Sequence, residues 1–209
     1  MAAVTPTDEC AGPDGRTARR DRNRNAVLDA VLALFAEGNL DPSPDEVARR
    51  SGVSLRSVYR YVTDRDDLVR SAIDRQQEKV RPLFAIDRVG EGSLAERVDA
   101  FVTARLRGYE AAAATARASR LRMATNEIIR EQLEAGRRAM RAQLELQFAA
   151  ELDALDHRRR RAVVAAADAL TQIETLDLYR VHQGLSAAVT HDVLTVALLA
   201  LLGAPPGQS

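Results

Sequence analysis

Leu55, Arg56, Ser57, Val58, Tyr59, Arg60 and Tyr61 follow one another without interruption. Two arginines, a serine and two tyrosines in so short a run can donate hydrogen bonds to phosphate oxygens and base edges, arginine best of all to guanine. The run contains no histidine, cysteine or carboxylate, and so no acid–base pair or metal set of its own. Nor does the rest of the chain gather a nucleophile, an acid–base pair or a metal set. His157, His182 and His191 stand on different segments or far apart, without metal-ligand spacing. Gly90, Glu91 and Gly92 read as a linker, because no strand precedes them to make a phosphate loop. The expectation is a protein that is not an enzyme and that needs no cofactor.

The elements that must position this run are helical. Ser43 can cap, Pro44 suits the first helical position and Glu46 completes a capping box. Val47 and Ala48 turn inward, and Gly52 closes the helix. Ser54 can then cap a third helix over residues 55–61, and Asp64 a fourth that Pro82 interrupts near Arg81. Upstream, Ala26, Val27, Ala30, Val31, Leu34 and Phe35 recur at helical spacing, which predicts a first helix over residues 23–37. Two short helices joined by a tight turn, the second bearing basic and polar side chains, is a geometry that fits the DNA major groove.

Composition agrees with helices and sets limits on function. The chain has 209 residues, 46% hydrophobic but only 4% aromatic, with no tryptophan. Much of the apolar content is alanine, which favours close helix packing. The 30 basic and 30 acidic residues cancel, so a globally polybasic binder is excluded while a local basic face is not. Lys79 is the lone lysine, an arginine bias that a GC-rich coding genome would also produce. Between residues 16 and 62, nine basic residues face six acidic ones, an excess of the right sign for phosphate. Cys10 is the only cysteine, which excludes an internal disulfide and fits a reducing cytosol. Residues 193–202 form the longest apolar run, broken by Thr195, and reach about half the roughly 20 residues a membrane span needs. A soluble, cytoplasmic protein is expected.

Residues 45–68 resemble the DNA-binding domain of the TetR family. Leu34, Phe35 and Gly38 match its first-helix ending, Ala48 its second helix, and Gly52, Val53 and Ser54 its turn. Tyr59 and Tyr61 match the aromatic pair that ends its recognition helix. The likeness covers about residues 22–75, with Val62 in place of the usual phenylalanine and Arg65 in place of the usual lysine. The helical periods along the chain number about nine, after a tail over residues 1–18 whose Pro6, Gly12, Pro13 and Gly15 and low hydrophobicity predict disorder. The resemblance implies an all-α fold with a three-helix DNA-binding domain over residues 19–80 and a larger helical ligand-binding and dimerisation domain over residues 81–209. It also implies roles. Arg56 and Ser57 would reach base edges, Leu55 a thymine methyl, and Arg60 a base or a phosphate. Tyr59 and Tyr61 would donate hydroxyls to phosphates, while Arg22 and Arg24 would add sequence-independent affinity. Ser43 would touch a phosphate besides capping. Arg65 would meet a phosphate or pair with Asp66 or Asp67.

The implied function is a transcriptional regulator, foremost a homodimeric repressor released from a palindromic operator in double-stranded DNA by a small-molecule effector. The alternative is a TetR-like protein that answers to a protein partner or to no ligand, or that activates. Two long helices over residues 158–182 and 186–202 would form the dimer interface, the latter being apolar nearly all round; a deep intrachain core is the other reading of it. Arg158, Arg159, Arg160 and Arg161 read as a solvated run or dimer-edge ion pairs. Tyr109, Met123, Asn126, Met140, Phe148 and Thr171 are the candidates for a ligand pocket.

Overall fold

In a computed structural model, residues 13–203 are described. They form ten α-helices, a 3-10 turn and a π turn, without a strand. The fold is all-α. Two compact units divide between Ala72 and Ile73, inside a helix.

The first unit holds α1 (Pro13–Ala36), α2 (Pro44–Ser51), α3 (Leu55–Tyr61) and the start of α4 (Arg65–Val80). Helix α1 begins well before residue 23, so residues 13–18 are helical rather than part of a disordered tail; residues 1–12 lie outside the described residues. Arginine and alanine are strong helix formers, and extending a helix whose later turns are already fixed adds a bond for each residue ordered. The later turns are fixed by burial: Val27, Val31 and Phe35 join Val47, Val58, Leu68 and Val69 in one core, each no more than 1% exposed. Val62, 5% exposed, completes it. A smaller side chain than phenylalanine suffices there.

Caps set the helix starts. Ser43 Oγ accepts from the Glu46 amide at 3.3 Å while Glu46 accepts from the Ser43 amide at 2.8 Å. Gly52 ends α2 in the left-handed region, φ 69°, which a glycine enters without a Cβ clash. Ser54 stands at the N-cap of α3 but makes no capping bond; its hydroxyl donates to Ser57 Oγ at 3.0 Å instead. Asp64 caps α4 through the Asp67 amide at 2.8 Å, and Asp67 accepts in return from the Thr63 amide at 2.9 Å. Ser43→Ala is expected to lower unfolding free energy by about 1 kcal/mol, read by thermal or urea denaturation of the full chain.

The second unit contains the rest of α4, a 3-10 turn (Arg81–Phe84), α5 (Leu94–Arg122), α6 (Glu127–Gln147), α7 (Ala149–Asp153), α8 (His157–Leu170), α9 (Ile173–Asp177), a π turn (Leu178–His182) and α10 (Ala187–Gly203). Its core joins Phe101, Val102, Leu144, Phe148, Leu152, Leu194 and Leu198, all fully buried. The expected helix over residues 158–182 is in fact interrupted. Thr171 Oγ1 bonds back to the Ala167 carbonyl at 2.9 Å, and Thr175 Oγ1 to the Ala169 carbonyl at 2.6 Å. Such local side-chain bonds give the backbone an alternative to helix.

The 3-10 turn is fastened to α5 and α6. Arg107 donates to the Leu83 carbonyl at 2.8 Å and the Ala85 carbonyl at 3.0 Å, and Gln143 donates to the Phe84 carbonyl at 2.7 Å. Gly108 accepts the Phe84 ring so closely that a Cβ there would stand 2.3 Å from it. No described helix is long and apolar enough to cross a membrane.

Candidate nucleic-acid interface and internal cavity

Helix α3 sorts its side chains by the period of the helix. Val58 is fully buried and Tyr61, three residues on, is half-buried on the same face. Arg56, Tyr59 and Arg60, spaced for the opposite face, are exposed, Tyr59 at 54%. Leu55 and Ser57 flank them at intermediate exposure. This leaves one short helix with two guanidiniums and a phenol turned to solvent, behind a turn fixed by Gly52.

Several expected contacts take a different form. The Tyr61 hydroxyl is buried without a hydrogen-bond partner among the described residues, so it is not presented to a phosphate. Its ring instead lies under the Arg60 guanidinium, 5.7 Å from the centroid, a cation–π arrangement. Arg65 pairs neither with Asp66 nor with Asp67. Its guanidinium meets the Asp41 carboxylate at 2.9 Å and the Pro42 carbonyl at 3.2 Å, holding the loop before α2 against the start of α4. The Ser43 hydroxyl donates to Glu46 at 2.7 Å, so its proton is already committed. With the Ser43 amide and then its hydroxyl donating, the Glu46 carboxyl is held below the ordinary glutamate pKa. Arg22 and Arg24 are exposed on α1. Two residues apart on a helix, they point to different sides.

Within the second unit, a cavity of about 590 Å³ lies among α4, the 3-10 turn, α5, α6 and the α8–α9 junction. Ala112 and Ala116 on α5 face Ala135, Gly136 and Ala139 on α6, and Ile73, Val80, Phe84 and Leu133 complete much of the apolar wall. The space exists because small residues oppose one another there. Among the six pocket candidates, Met140 is on the wall and the others are elsewhere. Tyr109 is buried, donating to Asp177 at 2.9 Å. Phe148 is in the core, edge-on to Phe101 at 5.3 Å. Thr171 bonds back to its own helix, and Asn126 caps α6 through the Ile129 amide at 3.1 Å. Met123 caps the end of α5. Large or polar residues beside an apolar stripe fill space or satisfy backbone, and so do not leave a hollow.

Arg105, absent from that set, lines the cavity while only 1% exposed. It donates to Gln143 Oε1 at 2.8 Å and to the Met140 carbonyl at 2.6 Å, with its guanidinium 4.4 Å from the Phe101 ring centroid. Burial drives its pKa down to about 10, partly opposed by the charge of Asp168. The signal for it in the sequence is an arginine occupying the apolar stripe, four residues after Phe101 and seven after Val98.

No protein-family model matches the chain, and no curated protein matches it. Solved structures do. A transcriptional regulator from Rhodococcus sp. Rha1 superposes with a TM-score of 0.64 at 20% identity, covering 88% of this chain and 96% of the other. A protein assigned as a transcriptional regulator from Streptomyces coelicolor A3(2) gives 0.56 at 23% identity, over 88% and 99%. A transcriptional regulator of the TerR/AcrR family from Aquifex aeolicus VF5 gives 0.56 at 17% identity, over 84% and 97%. The chain shares the fold of these proteins over most of its length.

Proposed function

We propose that this chain is a sequence-specific DNA-binding transcriptional regulator of the TetR kind, a homodimer at a palindromic operator that a small-molecule effector releases. The observation that carries the reading is helix α3, with Arg56, Tyr59 and Arg60 exposed behind the Gly52 turn. A helix-turn-helix dimer reads two half-sites related by its own two-fold axis. The outer surfaces of α8 and α10 support pairing: Val189 and Val196 are 46% and 69% exposed, and Ala166, Ala169, Leu170, Ala197 and Leu201 line a shallow apolar groove. The cavity supports an effector, which would act by favouring a state with lower operator affinity. As a repressor, the protein would block transcription while bound and permit it when released.

The experiment is a gel shift on the DNA upstream of the gene encoding this chain, with unrelated DNA as competitor. Arg56→Ala is expected to weaken specific binding by about 5- to 150-fold, since a good arginine–guanine pair contributes about 1–3 kcal/mol. Tyr59→Phe is expected to weaken it less, by loss of one phosphate contact. Folding of both variants is checked by circular dichroism. Undiminished sequence-specific binding by both would refute the assignment of α3 as the reading helix.

A further inference from the structure

Two buried polar atoms in the second unit lack a hydrogen-bond partner, Nε of Arg105 and Oε1 of Gln132. Both belong to residues that line the cavity. Arg105 carries the sharper demand. Its two bonded nitrogens reach neutral acceptors, the Gln143 amide oxygen and a backbone carbonyl. No carboxylate among the described residues comes within ion-pair distance of it. Of the other arginines on the wall, Arg137 pairs with Glu174 at 2.5 Å and Arg120 with Asp177 at 2.5 Å, while Arg81 is exposed to solvent. Gln143 is itself pinned, donating to the Phe84 carbonyl at 2.7 Å, so it holds the guanidinium in place. A buried cation without a counter-ion is costly, and an anion delivered by a ligand would relieve that cost.

The rest of the wall describes the ligand's body. From Arg105 to Ser119 the cavity follows α5 for about 21 Å at 1.5 Å per residue. Along the way the α5 wall offers alanines, and the Ser119 hydroxyl is turned back onto the Thr115 carbonyl at 2.8 Å. The α5 wall is mostly apolar between its ends, with the unmatched Arg105 guanidinium at one end and Arg120, already paired with Asp177, at the other.

We infer that the cavity takes an organic acid, its carboxylate on the Arg105 guanidinium and an elongated apolar body along α5. This rests on the effector-site reading above and adds to it the chemical class of the ligand.

The test is calorimetric titration of the full chain with straight-chain carboxylates from hexanoate to tetradecanoate. The primary alcohol and the trimethylammonium compound of matching length serve as controls, kept below their micelle concentrations. At least one carboxylate is expected to bind ten or more times tighter than either control. In Arg105→Met that preference should vanish while the alcohol's affinity stays within about threefold. Equal binding of all three headgroups, no carboxylate binding below millimolar, or a preference that survives in folded Arg105→Met would each overturn the inference. Should Arg105→Met fail to fold, a crystal structure of the unaltered protein with the best carboxylate decides: a carboxylate away from Arg105 refutes it. Gel shifts with the same compounds separate this from the reading it rests on. A carboxylate that binds at Arg105 without altering DNA binding leaves the ligand class standing and removes the effector role.

Discussion

Phe148→Ala is expected to lower the free energy of unfolding by about 3–5 kcal/mol. The side chain is fully buried at the junction of α6 and α7, and its ring meets Phe101 edge-on at 5.3 Å. Truncation removes apolar burial, leaves a cavity that the helices around it cannot fully close, and loses an aromatic pair worth about 0.5–1.5 kcal/mol. Phe148→Leu should cost less, because most of the volume remains. Urea denaturation of the two variants and the unaltered chain measures both. The result also discriminates between roles: a phenylalanine on the wall of a ligand cavity would be lost at little cost, since space already exists beside it. An alanine variant within about 0.5 kcal/mol of the unaltered protein would return Phe148 to the pocket.

The second large effect is at Asp177, buried on α9 and 8% exposed. Its carboxylate accepts from Tyr109 at 2.9 Å, from Arg117 at 2.6 Å and from Arg120 at 2.5 Å, so one acid ties α9 to α5. Asp177→Asn keeps the shape but strips the counter-charge from two arginines. A fully buried pair broken in this way costs about 3–5 kcal/mol. Arg117 and Arg120 are 35% and 25% exposed, and water screens what the asparagine leaves unmatched, so about 2–3 kcal/mol is expected. Burial pushes the Asp177 carboxyl up, but the bonds from Arg117, Tyr109 and Arg120 outweigh it and hold the pKa below the ordinary aspartate value. Because the folded value is the lower one, the stabilisation is complete above the unfolded pKa of about 4 and disappears as pH falls through the folded value. The difference in unfolding free energy between Asp177→Asn and the unaltered chain should therefore be constant from pH 5 to 7 and shrink below pH 4. A difference that stays flat to pH 3 would remove the charge from the explanation.

What could be read from the sequence was what depends on neighbours along the chain. Ser43 and Glu46 find each other across one helical turn, Gly52 stops α2, and the apolar stripes around Val31 and Phe101 bury the faces their spacing dictates. The break between α8 and α9 escaped, because Val163, Ala167, Leu170 and Ile173 keep a helical period straight through it. At the break the Thr171 and Thr175 hydroxyls take the carbonyls of Ala167 and Ala169, and nothing in the period records that. The cavity escaped for a different reason. A hollow is made by what facing helices lack, and Ala112, Ala116, Ala135 and Ala139 look individually like any other helix-forming alanines. On α3 the polar set Arg56, Ser57, Tyr59, Arg60 and Tyr61 reads as outward, but Tyr61 stands three residues after Val58 and turns its hydroxyl inward with it. That Arg65 is taken by Asp41 and Pro42 depends on residues more than twenty positions away.

Gly108 and Phe84 behave as a single choice. Any side chain added at 108 would enter the space of the Phe84 ring, and the ring cannot simply withdraw, because the backbone of its turn is tied down by Arg107 and Gln143. Phe84 also forms part of the cavity wall near Arg105. A larger residue at 108 could therefore be tolerated only alongside a smaller one at 84, and that exchange would redraw the end of the cavity. The volume of the chamber is thus written at a position that does not itself line it, and selection on what the chamber holds would act on the pair.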